Sequence, residues 1–468
     1  MSRVDELKNR NGIDSGSLKP TKQSSEKANA ISTAIFLAIA VLMLAGLLFG
    51  ATLFTYAVLA ISAVFLICRY LANDWSVAIA LRRQLISHEI EIGQEVQIGV
   101  IIENTQRSFI PWLLVEDVLS RRVTHSTSKA LEIVGSPVKL CILGSRQQRL
   151  LNYSLKALRR GYFQIGPTIV ETGDLLGLYR KFRVASVPEF LTVLPKIIPL
   201  AGYEISSRRP IGEIQVAYRS MEDPTLISGI RQYQQGDALS RIHWRATARV
   251  GKLQSKVFQP TTVAGAMLVL DMHRKSNPDH HEPVRTDLAI TAVASIAHTL
   301  YQMQQQFGFV SNGRDAFDRI RTEGWATDYR SREVALASLR SEQENLRLRP
   351  MVHPAGRGPE HFKNLHRILA RLERTDGLEL ANLLLESQSR LPRDASVIAI
   401  VQQVDEVAAL ALGMLARQGY AVSAIVNHFE SESVREASKL LVAQRIPVYH
   451  LKDEDSIPYI CQRMLLKY

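Results

Sequence analysis

The sequence predicts a multidomain chain: an N-terminal two-helix transmembrane hairpin, an antiparallel β-sandwich-like domain, and a C-terminal α/β domain with a parallel sheet. Three observations carry this reading. No charged side chain occurs from Ala30 to Cys68. Short runs of alternating apolar and polar residues fill positions 84–200, punctuated by Gly, Ser and Pro. Beyond residue 260, short apolar strands alternate with helical periodicity, the pattern of βαβ units. At 468 residues the chain is long enough for two or three domains with their own cores.

The N-terminal segment, 1–29, is polar with six Lys/Arg and reads as a disordered tail. As a single helix, 30–68 would run about 58 Å, nearly twice the bilayer core. Two spans of about 18 to 20 residues fit instead, with a break near Gly50-Ala51-Thr52. The long leading segment carries acids, unlike a cleavable signal peptide. Basic residues flank both ends of 30–68, Arg69, Arg82 and Arg83 following it. An even number of spans then leaves both termini in the cytoplasm. Gly46 and Gly50 have the spacing of a helix-dimerisation face, but Gly50 falls at the break, which favours a role in the turn.

In the middle, Val96, Ile98, Val100 and Ile102 alternate with polar residues from Glu95 onward, as in a strand with one buried face. Further strands are predicted at 85–92, 112–117, 131–134, 137–143, 147–156 and 162–171, giving an antiparallel sandwich over 84–200. Residues 201–259 form a connector that ends in a basic segment.

That basic segment, Ile230–Val257, holds six Lys/Arg against the single acid Asp237. Gly236-Asp237 reads as a turn ending in a helix N-cap. Leu239, Ile242 and Ala246 then face inward at helical spacing, and Arg241, Arg245 and Arg249 stack at i, i+4 and i+8 as a basic stripe. Gly251 fits the left-handed position after the helix, and the next strand runs from Leu253 to Gln259. Such a stripe is compatible with a solvated face, with docking of an anion or acidic partner, or with anionic lipid headgroups. Tyr233, His243 and Trp244 fit either core or surface.

The pattern Arg231-x-Tyr233-x-x-Gly236-Asp237-x-x-x-Arg241-Ile242-x-Trp244-x-x-x-Ala248-Arg249-x-Gly251-x-Leu253 closely resembles the signature of the bacterial domain of unknown function 58 family. Upstream, Arg159-Arg160-Gly161-Tyr162-Phe163-Gln164-Ile165-Gly166-Pro167 and Gly173-Asp174-Leu175-Leu176-Gly177-Leu178 resemble that family's strand pair, and the apolar segments near the N-terminus match as well. The resemblance implies a bacterial inner-membrane protein, encoded beside MoxR-type AAA+ ATPases and transglutaminase-like proteins.

In the last domain, 260–468, strands are predicted at 265–271, 307–310, 396–401, 420–426 and 446–451. Helices are predicted at 286–305, 405–418 and 431–444, with a final helix from 456. The order resembles a von Willebrand factor type A domain, as the family resemblance also implies. That resemblance implies a divalent ion held by Asp-x-Ser-x-Ser after the first strand. Here Asp271-Met272-His273-Arg274-Lys275 places His273 and Lys275 at the serine positions, and a lysine there repels a cation. Asp271 is thus the remnant of a degenerate site, and neither metal nor cofactor is expected. Asp279-His280-His281 and the group His353, His361 and His366 read as loop and polar-region histidines. The three cysteines are scattered, without metal or disulfide spacing, which suits a reducing setting. No phosphate loop, dinucleotide fingerprint or nucleophile elbow is present.

Net charge is +12 with a pI of about 9.6, which points to a membrane surface or to acidic or nucleic-acid partners. The composite expectation is a non-enzymatic, membrane-anchored adaptor that docks a protein partner, which the family resemblance implies is a MoxR-type AAA+ ATPase. Its residues are Arg231, Tyr233, Gly236, Asp237, Arg241, His243, Trp244, Arg245, Arg249 and Gly251. One alternative is an enzyme or binder of an anionic or phosphorylated ligand, with Arg241, Arg245 and Arg249 as clamps and Asp237 or His243 as acid/base. Nucleic-acid binding is not expected, since no recognisable module interleaves aromatics with the basic stripe.

Overall fold

The computed structural model describes residues 52–119, 129–177, 179–201, 222–234, 237, 239–260, 265–323, 348–392 and 395–461. The tail 1–29, the first predicted span, Gly236 and 202–221 of the connector lie outside the described residues, as do 324–347 and 462–468.

The first described element is helix α1 (Thr52–Val77). It is long and apolar enough to cross a membrane. It continues past Cys68, where the hairpin was expected to end, and carries Arg69 and Asp74 into its last turns. The reason is packing: Cys68, Ala72 and Trp75 are buried against the β domain, whereas Leu53, Tyr56, Leu59, Ile61, Val64, Leu66 and Ile67 are exposed. The helix has an apolar exposed half and a docked half.

The β domain packs two sheets face to face. One has the order β1-β3-β7-β5, built from β1 (Ile79–Leu85), β3 (Glu95–Asn104), β7 (Gln148–Ala157) and β5 (Leu131–Gly135). The other has the order β2-β10-β8-β4-β6, built from β2 (Glu89–Glu91), β10 (Glu189–Leu194), β8 (Gly161–Gly173), β4 (Ile110–Leu119) and β6 (Val138–Leu143), with β9 (Arg180–Val184) pairing β8. Every pairing is antiparallel except β2 with β10. Val96, Ile98, Val100 and Ile102 face the core, none more than 3% exposed, each contributing roughly 1.5–3 kcal/mol by leaving water. Strands β1, β9 and β10 were not predicted, and β1 begins ahead of the expected start of the sandwich at 84. Within this core Arg83 pairs with Asp117, and both are closed off from water. Tyr153 Oη donates to Asp117 Oδ2 at 2.7 Å, and Thr168 Oγ1 to Oδ1 at 3.0 Å.

The C-terminal unit is a three-layer α/β domain. Its six-stranded sheet has the order β16-β14-β13-β18-β19-β20. The strands β13 (Gly265–Leu270), β14 (Gln306–Ser311), β18 (Ser396–Val401), β19 (Ala421–Asn427) and β20 (Val448–Leu451) run parallel. The edge strand β16 (Met351–Gly356) is antiparallel to β14 and was not predicted. Helices α3 (Val284–Gln302) and α5 (Pro359–Arg371) cover the face carrying Ala266, Leu268 and Leu270. Helices α6 (Leu380–Ser387), α7 (Glu406–Arg417) and α8 (Ser431–Ala443) cover the face carrying Met267 and Val269. A short helix, α4 (Ala316–Glu323), follows the two-residue strand β15 (Arg314–Asp315), which pairs β17 (Leu372–Glu373). At the end, a 3-10 turn over Glu454–Tyr459 stands where a helix was expected; Pro458 within it has no N–H to extend an α-helical ladder.

The two units are joined by polar contacts. Arg160 Nη1 donates to the carbonyls of Leu369, Ala370 and Leu372 at the end of α5. Its Nε lies 2.9 Å from Asp287 Oδ1, while Arg159 holds Oδ2 of the same carboxylate. The His366 ring bonds Pro195 O, and the Ile198 amide donates to Ser295 Oγ.

Candidate functional site

The basic segment forms a two-stranded arm. Strands β11 (Glu222–Gln232) and β12 (Gln254–Pro260) pair antiparallel, with Gln232 opposite Gln254. Between them stand a 3-10 turn, Leu239–Arg241, and helix α2 (Trp244–Val250). Only Ile242 among the predicted inward positions is buried; Leu239 is 73% exposed and Ala246 half-buried.

The helix begins later than the sequence suggested, and its cap is His243 rather than Asp237. His243 Nδ1 accepts the Ala246 amide at 3.0 Å, an N-terminal cap made by an imidazole. Asp237 is engaged elsewhere. Its Oδ1 lies 2.6 Å from Arg231 Nη2, and its Oδ2 accepts the Gln234 amide at 3.1 Å. The Arg231 guanidinium, then the Gln234 amide, hold this carboxyl below the usual range. A charge-assisted bond to Arg231 outcompetes a helix cap for the same oxygens. Tyr233 Oη donates to Asp237 O at 3.2 Å, so Arg231, Tyr233 and Asp237 form one turn-stabilising group.

Because α2 starts at Trp244, the three-arginine stripe does not form. Arg241 lies in the 3-10 turn, on the other side of the cap, while Arg245 and Arg249 share a face of α2 as i, i+4 neighbours. Both are exposed, and among the described residues no acid pairs with either. Gly251 adopts φ 71°, where its N–H closes on Thr247 O at 2.9 Å; a side chain would be strained in this conformation. Trp244 is 68% exposed beside these arginines, and Leu239 and Val250 are exposed with it. A rigidly capped helix thus presents an indole and two guanidinium groups outward. As for acid/base chemistry, the Asp237 oxygens and His243 Nδ1 are committed to structural bonds.

A second candidate lies where β13 and β18 end. A crevice of about 260 Å³ is lined by Asp271, His273, Lys275, Ser276, Glu379 and Asp405, among others. Asp271 is buried, and its Oδ1 accepts the His273 amide at 3.0 Å and Asn312 Nδ2 at 2.8 Å. Burial pushes this carboxyl up, opposed by the Asn312 amide and the His273 N–H. Lys275 pairs with Glu379 at the crevice, and Asp405 caps α7 by accepting the Ala408 amide at 2.8 Å. The divalent ion implied by the resemblance to type A domains does not fit this donor set. Its two serine positions carry an imidazole and an ammonium, and the second carboxylate is held in a cap. Of the predicted loop histidines, His280 and His281 pack on each other with ring centroids 3.9 Å apart, and His281 meets His428 at 5.2 Å. Among the described residues no three His, Cys, Asp or Glu side chains converge as metal ligands.

Sequence reasoning did not find the role of Arg160, which acts across the domain junction; no local spacing encodes a contact with the end of α5.

Residues 229–375 match the model of the family described as protein of unknown function DUF58. The uncharacterized protein YeaD of Bacillus subtilis is 23% identical over 237 residues, an alignment spanning 50% of this chain and 56% of that protein. Little more than half of that relative is therefore covered. Among solved structures, the CARDB domain of a Pyrococcus furiosus protein overlaps 25% of this chain and 91% of that domain, at 9% identity and a TM-score of 0.17. The proximal thread matrix protein 1 of the mussel byssus overlaps 42% of this chain and 46% of that protein, at 10% identity and a TM-score of 0.28.

Proposed function

The chain belongs to the family described as protein of unknown function DUF58, and from that premise we propose that it is a non-enzymatic adaptor, anchored in a bacterial inner membrane, that docks a protein partner through its β11–β12 arm. The observation that carries this reading is the exposure of Trp244 on a capped helix beside Arg245 and Arg249. Tryptophan and arginine dominate the energetics of protein interfaces, and an exposed indole gains most when a partner covers it. A protein partner with an apolar pocket rimmed by acids fits this surface. The resemblance noted in the sequence suggests an AAA+ ATPase of the MoxR type.

In this reading α1 is the second span of a two-helix hairpin, with both chain termini in the cytoplasm. The α/β domain is of the von Willebrand factor type A kind with a degenerate ion position. The contacts of Arg159 and Arg160 with Asp287 would keep the two folded units in one orientation beneath the membrane, so that the arm projects from a stiff base.

The test is affinity capture from cells after crosslinking, comparing the unaltered chain with an Arg245→Glu/Arg249→Glu variant that retains its membrane fraction and folded spectrum. Capture of an AAA+ ATPase by the unaltered chain and its loss in the variant supports the reading. Equal capture by both chains removes the arm from the interface.

A second reading keeps the arginines but changes the ligand. Arg245 and Arg249, one turn apart without an acid partner among the described residues, would also suit a phosphorylated small molecule. Isothermal titration with inorganic phosphate and phosphorylated metabolites separates the two: saturable binding lost in the same variant favours the anion.

A further inference from the structure

The hairpin that joins β8 to β9 stands beside α1 and ends in two leucines that none of the described residues covers. Leu175 is 72% and Leu176 64% exposed. The turn holding them is stiff. Asp174 is buried, and its carboxylate accepts the Leu176 amide at 3.0 Å and the Tyr179 amide at 2.5 Å. Its own N–H donates to Tyr179 O, and its carbonyl accepts Trp112 Nε1 at 3.3 Å. Gly173 is required at the base, since a Cβ there would collide with Tyr179 O and the Trp112 ring. A fold that spends a buried carboxylate on one turn, and aims two leucines away from its own core, has given that tip a fixed direction.

That direction is set by α1. The Tyr179 ring meets the Phe65 ring edge-on, with centroids 6.4 Å apart. Phe65 lies four residues before Arg69, the first charged side chain of the helix, which is about 6 Å along its axis on the apolar side. From Leu53 to Ile67 the helix exposes apolar side chains, and from Cys68 it docks on the β domain. The water boundary of a span must therefore fall near Arg69 and Tyr70, and Tyr179 reaches past it toward the apolar side. Arg180 and Lys181 follow at once, both exposed, and Phe182 is half-exposed. An aromatic at the boundary, apolar side chains beyond it and cations just outside form the sequence of a membrane-interface contact.

We propose that the β8–β9 hairpin is a second membrane contact, with Leu175 and Leu176 seated at the boundary between headgroups and acyl chains of the bilayer that α1 crosses. The proposal rests on the reading of α1 as a span. Its occupant is lipid, because the hairpin stands against the exposed apolar part of the helix, to which Tyr179 joins it through Phe65. The consequence is geometric: a span alone lets the soluble units swivel, whereas a span and a hairpin tip fix their tilt on the membrane.

The experiment uses the full chain in lipid nanodiscs. Cys68, Cys141 and Cys461 are buried, so a thiol-reactive bimane reports single introduced cysteines: Leu175→Cys, Leu176→Cys, Leu59→Cys on the helix, and Val442→Cys on α8. Quenching is read with lipid spin-labelled just below the headgroup and, separately, with aqueous iodide. The expected result is loss of most Leu175 and Leu176 probe emission to the spin-labelled lipid, protection of both from iodide, and the reverse at Val442. Lipid quenching at Leu59 with iodide quenching at Leu175 and Leu176 would overturn the hairpin contact while leaving the span. Iodide quenching at Leu59 would overturn the span and the hairpin contact with it.

Discussion

Arg160 and Asp287 meet across the domain junction, with Arg160 Nε 2.9 Å from Asp287 Oδ1. Arg160 also caps α5 through three carbonyls, so one side chain ties the β domain to two helices of the α/β domain. Burial lowers its pKa, and Asp287 opposes that shift. Arg160→Ala leaves a carboxylate and a helix end short of their shared cation, and is expected to lower unfolding stability by about 3 kcal/mol. Arg160→Lys should recover part of this, because an ammonium cannot span the carboxylate and the carbonyls as a guanidinium fork does. Denaturant unfolding gives the energies, and limited proteolysis should show new cleavage between the two units only in the variants.

Inside the sandwich, Asp117 answers to Arg83, Tyr153 and Thr168 at once. Asp117→Ala strands a buried guanidinium and should destabilise the β domain by about 3–5 kcal/mol. Asp117→Asn, which keeps an acceptor, should lose less. Thermal unfolding of the two variants side by side checks the ranking.

Acid should weaken the α/β domain through the buried His366 and the half-buried His353. Burial pushes His353 and His366 below the ordinary imidazole range, with His361 adding to the shift at His353. An imidazole depressed in the folded state takes up its proton more readily when unfolded. Stability is therefore intact above the unfolded value, about 6.5, and falls as pH drops below it. The carboxyls of Asp271 and Glu282, pushed up by burial, act in the opposite sense. The expected outcome is a lower Tm at pH 5 than at pH 7, with a shallower slope in His366→Gln. An unchanged slope in that variant would remove His366 from the account.

The arm separates folding from docking. His243→Ala should destabilise it by about 1 kcal/mol through loss of the cap, and Gly251→Ala by about 1–2 kcal/mol because of its left-handed backbone. Trp244→Ala should stay within about 0.5 kcal/mol, as a surface change. Hydrogen exchange at the Ala246 and Gly251 amides reads the first two directly.

Most of the sheet structure was legible because period-two alternation and short apolar runs survive any context. Val96 to Ile102 alternated as the sandwich required, and residues 265–270 and 396–401 read as buried parallel strands. Strand β16 was hidden by His353 and Pro354, and α5 by its histidines, although Phe362, Leu365, His366 and Leu369 keep helical spacing. In the arm, the left-handed Gly251 was readable from its neighbours. The cap was not: Asp237 has the better cap chemistry, but Arg231, brought close by the turn, takes its oxygens and leaves the role to His243. The arginine stripe failed for the same reason, since it depended on where the helix began. Arg160 was visible only as part of a motif, because its partners lie in another domain.

The most direct test of the docking account places a photo-crosslinking amino acid at position 244 of the full chain in living cells. The account predicts a single dominant crosslinked protein, an AAA+ ATPase, that disappears when Arg245 and Arg249 are reversed to glutamate. A residue-244 probe that yields no protein adduct, while the chain is folded and in the membrane, would contradict it.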